Sequence, residues 1–189
     1  VILARTGWSA ERGYEIYVRD LSRGEAVWDT VMEVGKAHGI VPAVPSRIRR
    51  IEAGILDYSV DMDTNTNPFE VGLDRMVALD TGRDFIGKAA LEKVKKDGIK
   101  RKLVGVQIEG EKLPYNENDW PVFDDGTRIG EVTSVVYTPR MKINIGYAMV
   151  PIAYSELGTT FTVETKSGPL QATVVERPFV DPNKSLSKA

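Results

Sequence analysis

The sequence predicts an α+β fold whose second half closes into a small antiparallel β-barrel. Two patterns predict it. The first hundred residues mix strand-like and helix-like periodicities. After residue 100 come six short strand-like runs at close spacing, separated by turn residues. The basic, glycine-containing stretch from Lys95 to Lys102 divides the two, so the reading places one domain over residues 1–98 and a second over 99–189.

Each element has its own signal. Val1 to Ala4 is apolar and reads as a buried strand, and Tyr14 to Val18 as a second, rich in aromatic and β-branched residues. Gly7 and Gly13 bracket the polar loop between them. Residues 22–38 carry Val27, Val31 and Val34 at helical spacing, with Trp28 and Met32 beside them. Ser22 followed by Glu25 has the capping-box pattern, and Gly39 ends the helix. Ser46 caps a second helix over Arg47 to Leu56. Asp57 to Pro68 is a polar loop by composition, Phe69 to Leu79 is read as extended, and Gly87 to Lys96 is a third helix stopped by Gly98. The barrel strands are Leu103–Ile108, Pro121–Phe123, Arg128–Tyr137, Ile143–Val150, Thr160–Glu164 and Leu170–Val175. Asp124-Asp125-Gly126 and Ser167-Gly168-Pro169 supply turns.

Composition narrows the function classes. Of 189 residues, 42% are hydrophobic and 28% charged, with a formal net charge of -2, which offers no general attraction to nucleic acid or an anionic membrane. No cysteine is present, which removes thiolate nucleophiles, disulfides and cysteine-bound metals and fits the cytoplasm. The single histidine, His38, would have to carry any serine triad or histidine-rich zinc site alone, and its place near a helix end points to the carbonyls there. No apolar run is long enough for a membrane helix, and no signal peptide is visible. A chain that opens on Val1 inside a strand is expected to be part of something longer; processing to a mature form is the alternative.

Two blocks stand out chemically. Arg5-Thr6-Gly7-Trp8 is followed by Gly13-Tyr14-Glu15-Ile16. A carboxylate on a rigid strand, such as Glu15, can accept the adjacent N–H and amino donors of a flat heterocycle in a fork, and Trp8 can wall it. The residues alone leave open that Glu15 simply faces solvent. The second block is Arg49-Arg50-Ile51-Glu52-Ala53-Gly54. Residues two apart diverge on a helix, so Arg50 and Glu52 face different surroundings, and an arginine there could clamp a carboxylate-bearing ligand. Asp57, Asp61 and Asp63 lack the glycine and terminal glutamate of an EF-hand and read as a solvated loop. Asn183-Lys184-Ser185 matches a glycosylation sequon without other support for secretion.

Taken in order, these blocks resemble the glycine cleavage T-protein (aminomethyltransferase) superfamily. Arg5 to Gly7 with Trp8 and Gly13 to Ile16 match its Arg-Thr-Gly-Tyr and Gly-Phe-Glu-Ile blocks. Arg50 to Gly54, Asp84 to Lys88, Ile129 to Ser134 and Pro178 to Val180 match further blocks in the same order. The resemblance implies part of a folate-binding core over 1–98, the whole C-terminal barrel over 99–189, and tetrahydrofolate as cofactor. It implies folate contacts at Glu15 for the pterin and at Arg50, with Trp8 and Tyr14 nearby. A family tyrosine after Pro-Phe-Val falls on Lys184. The family's catalytic aspartate belongs to the N-terminal region and has no counterpart here, so the chain alone is expected to be inactive and to need that region as partner. The one-carbon donor is either an aminomethyl group on a lipoyl carrier protein or a small methylated donor. Trp8, Tyr14 and the Asp57-Tyr58-Ser59-Val60 segment lean toward a divergent branch, such as the demethylases of dimethylsulfoniopropionate. Two other classes compete. One is a non-catalytic folate-binding or regulatory module, although the family's regulatory members carry a cysteine signature absent here. The other is a domain attached to an oxidoreductase.

Overall fold

The computed structural model describes residues 1–188. Its first half is a loose assembly of short elements, and its second half is a closed barrel. β1 (Ile2–Ala4) and β2 (Glu15–Tyr17) form a two-stranded antiparallel ribbon, with Ala4 opposite Glu15 and Ile2 opposite Tyr17. The burial expected for Val1 to Ala4 is not found. Val1, Ile2 and Leu3 are 74%, 55% and 63% exposed, because among the described residues β2 is the only strand beside β1 and no second layer covers the ribbon.

α1 (Gly24–Gly35) keeps its amphipathic pattern, yet none of its residues is buried. Its start also differs from the expected capping box. Asp20 accepts from the backbone N–H and hydroxyl of Ser22 and caps a 3-10 turn over Leu21–Arg23, from which α1 continues. The helix end is as expected: a 3-10 turn containing His38 leads to Gly39 in the left-handed region. α2 (Arg47–Glu52) is capped by Ser46, whose Oγ accepts from Arg49 N–H at 3.3 Å. It stops before Leu56 because Gly54 turns left-handed, at φ +74°. Phe69 to Leu79 is not extended: local turns and a 3-10 turn at Asp74–Met76 replace the expected strand. Asn67 starts this turn by accepting from Phe69 and Glu70 N–H with its side chain. α3 (Lys88–Asp97) ends at Gly98 as expected.

All six barrel strands are present and antiparallel: β3 (Arg101–Ile108), β4 (Trp120–Asp124), β5 (Thr127–Thr138), β6 (Ile143–Pro151), β7 (Thr160–Thr165) and β8 (Gly168–Val175). They close in the order β3-β6-β5-β4-β7-β8, with Gly105 opposite Val175 completing the circle. Closure removes the exposed strand edges that an open sheet would leave. The pleat sorts the side chains: Val104, Val106, Ala148 and Val150 point into the barrel, while Leu103, Ile145, Tyr147 and Met149 form a second cluster outside it with Ile51 and Val71. α2 packs on that outer face, which is why β6 is buried on both sides. Gly130 permits the β5–β6 approach: a Cβ there would lie 2.2 Å from the Met149 carbonyl oxygen.

Candidate functional site

The chain after β8 folds back over α2. Val180 N–H donates to the Glu52 carbonyl at 2.9 Å, and the Phe179 ring lies 6.0 Å from that of Tyr147. Pro178 packs on Gly54, where any added Cβ would meet it at 3.2 Å. This return delivers Asp181 and Lys184 to the loop between β1 and β2. Arg5 Nη2 fastens that loop to the tail by donating to the Ser187 carbonyl at 2.9 Å. Asp181 orders the tail itself, accepting from the Ser185 and Leu186 backbone N–H groups at the start of the short helix α4 (Ser185–Lys188). Those hydrogen bonds, the Ser185 hydroxyl's first, hold its carboxyl below the usual carboxylate range.

A cleft of about 360 Å³ opens between these segments, lined among others by Thr6, Gly13, Ala53, Ile55 and Lys184. Glu15 does not line it but is hydrogen-bonded to Thr6, which does. Its Oε2 accepts from the Thr6 hydroxyl and from the Tyr17 hydroxyl, the latter at 3.1 Å. Glu15 and Tyr17 are two apart on β2 and share one face, so this contact follows from the pleat. Oε1 accepts no hydrogen bond among the described residues and is free for a donor from a ligand. The carboxylate is exposed. Trp8 and Tyr14, 44% and 58% exposed, lie in the same β1–β2 segment with open faces.

Arg50 is placed differently from the ligand clamp expected of it. It is 1% exposed and turns into the α2–barrel junction. Nη1 donates to Asp61 Oδ2 at 2.5 Å and to the Ile55 carbonyl at 2.9 Å, and Nη2 donates to Ser134 Oγ at 2.9 Å. Its Nε–H is buried without a hydrogen-bond partner among the described residues, and Arg50 does not line the cleft. Asp61, expected in a solvated loop, is 2% exposed and fully engaged, since Thr133 and Ser134 donate to Oδ1 and Asp57 N–H donates to Oδ2. Asp63 does remain on the surface, where Asn65 and Thr66 bond it and hold its carboxyl below the usual range. The Ile129–Ser134 block is therefore a packing device: Gly130 allows close approach and Thr133 and Ser134 hold Asp61.

The arginine that reaches the cleft region is Arg49, one residue earlier. Its guanidinium pairs with Glu11 on the β1–β2 loop. Arg140, from the β5–β6 turn, donates to the same Glu11 oxygen at 3.3 Å and lies 3.9 Å from Glu52. This ion-pair chain sits against Lys184 in a small pocket next to the cleft and shares Ala10, Glu11 and Ala53 with it. The structure thus brings Glu15, Thr6, Glu11, Arg49 and Lys184 around one region and keeps Arg50 behind it. Thr6 and Arg49 lie in the two blocks singled out from the sequence but were given no contact there, and Glu11 was not singled out. The 100° step between consecutive helical residues is the signal that separates Arg49 from Arg50. Among the described residues no group of acidic, histidine or cysteine side chains is arranged to hold a metal ion, and no helix is long and apolar enough to cross a membrane.

Comparison with known proteins gives the family. Residues 1–81 match the GCVT N-terminal domain family, and residues 101–181 match the glycine cleavage T-protein C-terminal barrel domain family. An aminomethyltransferase of Koribacter versatilis (strain Ellin345) is 41% identical over 190 residues, covering 98% of this chain and 49% of the relative. Dimethylsulfoniopropionate demethylase DmdA of Ruegeria pomeroyi is 34% identical over 176 residues, covering 93% of this chain and 48% of the relative. The crystal structure of glycine cleavage system aminomethyltransferase T from Bartonella henselae superposes with a TM-score of 0.83 at 25% identity, over 95% of this chain and 49% of that one. The chain spans about half the length of the curated relatives it matches. It belongs to the glycine cleavage T-protein superfamily.

Proposed function

We propose that this chain supplies the pterin-holding part of a tetrahydrofolate-dependent one-carbon transferase. The observation that carries the reading is the Glu15 carboxylate, with one oxygen free, at the edge of a cleft whose volume of about 360 Å³ lies in the range of small-molecule sites. Tetrahydrofolate, when bound, supplies the N5 that accepts the one-carbon unit. Glu15 accepts from the pterin's N–H and amino donors, with Thr6 yielding its hold on Oε2 to complete the fork. Trp8 and Tyr14 supply apolar walls, and Lys184 stands near the acidic end of the ligand. Arg50 acts through position: pinned by Asp61, it fixes α2 and so places Arg49 and Ala53 at the cleft. The unit over residues 1–98 carries the pterin contacts, and the unit over 99–189 carries the barrel and Lys184. The carboxylate that assists transfer belongs to the N-terminal half of the family fold, so the 189-residue chain alone does not turn over. A rate equal to that of the chain completed by such a half would contradict this. The setting is cytoplasmic.

Calorimetric titration with tetrahydrofolate of the chain completed by that half, repeated with Glu15→Gln, tests the reading. Loss of a charge-assisted hydrogen bond weakens binding by about 1.5–3 kcal/mol. An unchanged affinity removes Glu15 from the site. The donor is an aminomethyl group on a lipoyl carrier protein in the first reading. The similarity to the Ruegeria pomeroyi demethylase favours a second, in which a small methylated donor such as dimethylsulfoniopropionate is used. Turnover assays with each donor decide between them, and turnover with neither supports a non-catalytic folate-binding module.

A further inference from the structure

Two arginines from different elements converge on one carboxylate oxygen. Arg49, on α2, and Arg140, on the β5–β6 turn, both donate to Glu11 Oε1. Glu11 Oε2 accepts no hydrogen bond among the described residues. The receiving side is anchored. The buried Arg50–Asp61 pair fixes α2. Arg140 has a second partner in Glu52, whose Oε2 lies 3.9 Å from its Nε. That carboxylate is itself fixed: the Thr138 hydroxyl donates to Oε1, and the side chain is 5% exposed. The occupant is held far less firmly. No residue from Val1 to Tyr14 is buried, and Glu11 follows Ala10, a non-glycine residue in the left-handed region at φ +54°. Such backbone persists only where contacts impose it. Among the described residues, the ion pairs of Glu11 are the only ones that join the β1–β2 loop to α2 and the barrel. The three side chains are 34–43% exposed. Ion pairs so open contribute little and are screened by other ions.

The geometry points to Arg49 and Arg140 as a carboxylate-receiving subsite that Glu11 fills from within the chain and that a ligand's carboxylate takes over by exchange. A guanidinium fork suits a carboxylate, and here two of them act on one oxygen. The pocket they line shares Ala10, Glu11, Ala53 and Lys184 with the cleft of about 360 Å³, so a ligand chain leaving the cleft past Lys184 meets it. Exchanging one carboxylate for another leaves the charges of Arg49, Arg140 and Glu52 balanced as before, and no buried charge is stranded. The departing Glu11 side chain passes into solvent. For its ligand the subsite rests on the folate reading above: tetrahydrofolate carries its carboxylates at the end opposite the pterin. Arg49 and Arg140 then favour a pterin with an acidic end over one without, and Glu11 sets by how much. Its release also loosens the loop that carries Thr6, the group that holds Glu15 Oε2.

Titration of the 189-residue chain with glutarate at fixed ionic strength, followed at the side-chain Nε resonances of Arg49, Arg140 and Arg50, tests the subsite. Glutarate is expected to shift Arg49 and Arg140 and to leave the buried Arg50 alone. Glu11→Gln removes the internal competitor and lowers the glutarate Kd about fivefold, whereas Glu33→Gln, the same charge change on α1, does not. Arg140→Met and Arg49→Leu each raise it about fivefold, so the result does not hang on one variant folding. Unshifted Arg49 and Arg140, or a Kd that ignores Glu11→Gln, would overturn the inference. Tetrahydrofolate and a tail-less tetrahydropterin, titrated into the completed chain used for Glu15→Gln, separate the subsite from the folate reading. Arg140→Met is expected to weaken binding of the first and not the second. Glutarate exchange with no binding of either pterin would sink the folate reading and leave the subsite intact. Tetrahydrofolate binding that needs Glu15 but ignores Arg140→Met would do the reverse.

Discussion

Arg49 and Arg50 are consecutive, yet one pairs with Glu11 near the cleft and the other with Asp61 in the interior. Helical rotation sends them to different sides, and the packing partner of each decides its role. A buried ion pair contributes little over an apolar replacement, but breaking it strands a charge. Asp61→Ala is therefore expected to destabilise the protein by about 3–5 kcal/mol, read as a lower urea midpoint. The paired replacement Arg50→Met with Asp61→Leu costs less than either single change; equal or larger loss would mean the pair stabilises outright. At Glu11, partly exposed, Glu11→Gln should shift the midpoint by about 1 kcal/mol or less. The residue types at positions 15 and 50 were legible in the sequence, but the exposure of Glu15 and the burial of Arg50 were not. Asp61 lies eleven residues from Arg50 in a polar segment, and only the fold shows that Thr133 and Ser134 turn it inward.

At the scale of elements, the sequence carried most of the barrel. Alternating strands and turn residues mark it, and the observed strands fall within a few residues of the expected ones. The Phe69–Leu79 segment misled because its apolar residues anchor turns on the barrel, with Val71 buried beside Leu103, and do not build a strand. The return of the tail over α2 is a long-range contact that no local pattern encodes. Two outcomes test its construction. Gly54→Ala meets both a left-handed backbone and Pro178, and should cost at least about 1–2 kcal/mol while loosening Lys184. Asp181 has a carboxyl held below its unfolded value, so its hold on α4 is complete above about pH 4 and is lost as pH falls through the lowered value. Exchange at the Ser185 and Leu186 amides should accelerate there relative to barrel amides, and Asp181→Asn should remove the pH dependence.

For the whole molecule, a closed barrel stands beside a half whose apolar surface is open. The sequence announced the α+β class and its order of blocks, but its apolar β1 was read as buried because an apolar pattern reports which face needs cover, not whether cover is present. The proposed pterin carboxylate lies on the β1–β2 ribbon of that open half. The most direct measurement is a crystal structure of the chain completed by an N-terminal half of the family fold and bound to tetrahydrofolate. The pterin edge is expected within hydrogen-bond distance of Glu15, with Lys184 toward the ligand's acidic end and Arg50 still paired with Asp61. A pterin bound elsewhere, with Glu15 left in solvent, would contradict it.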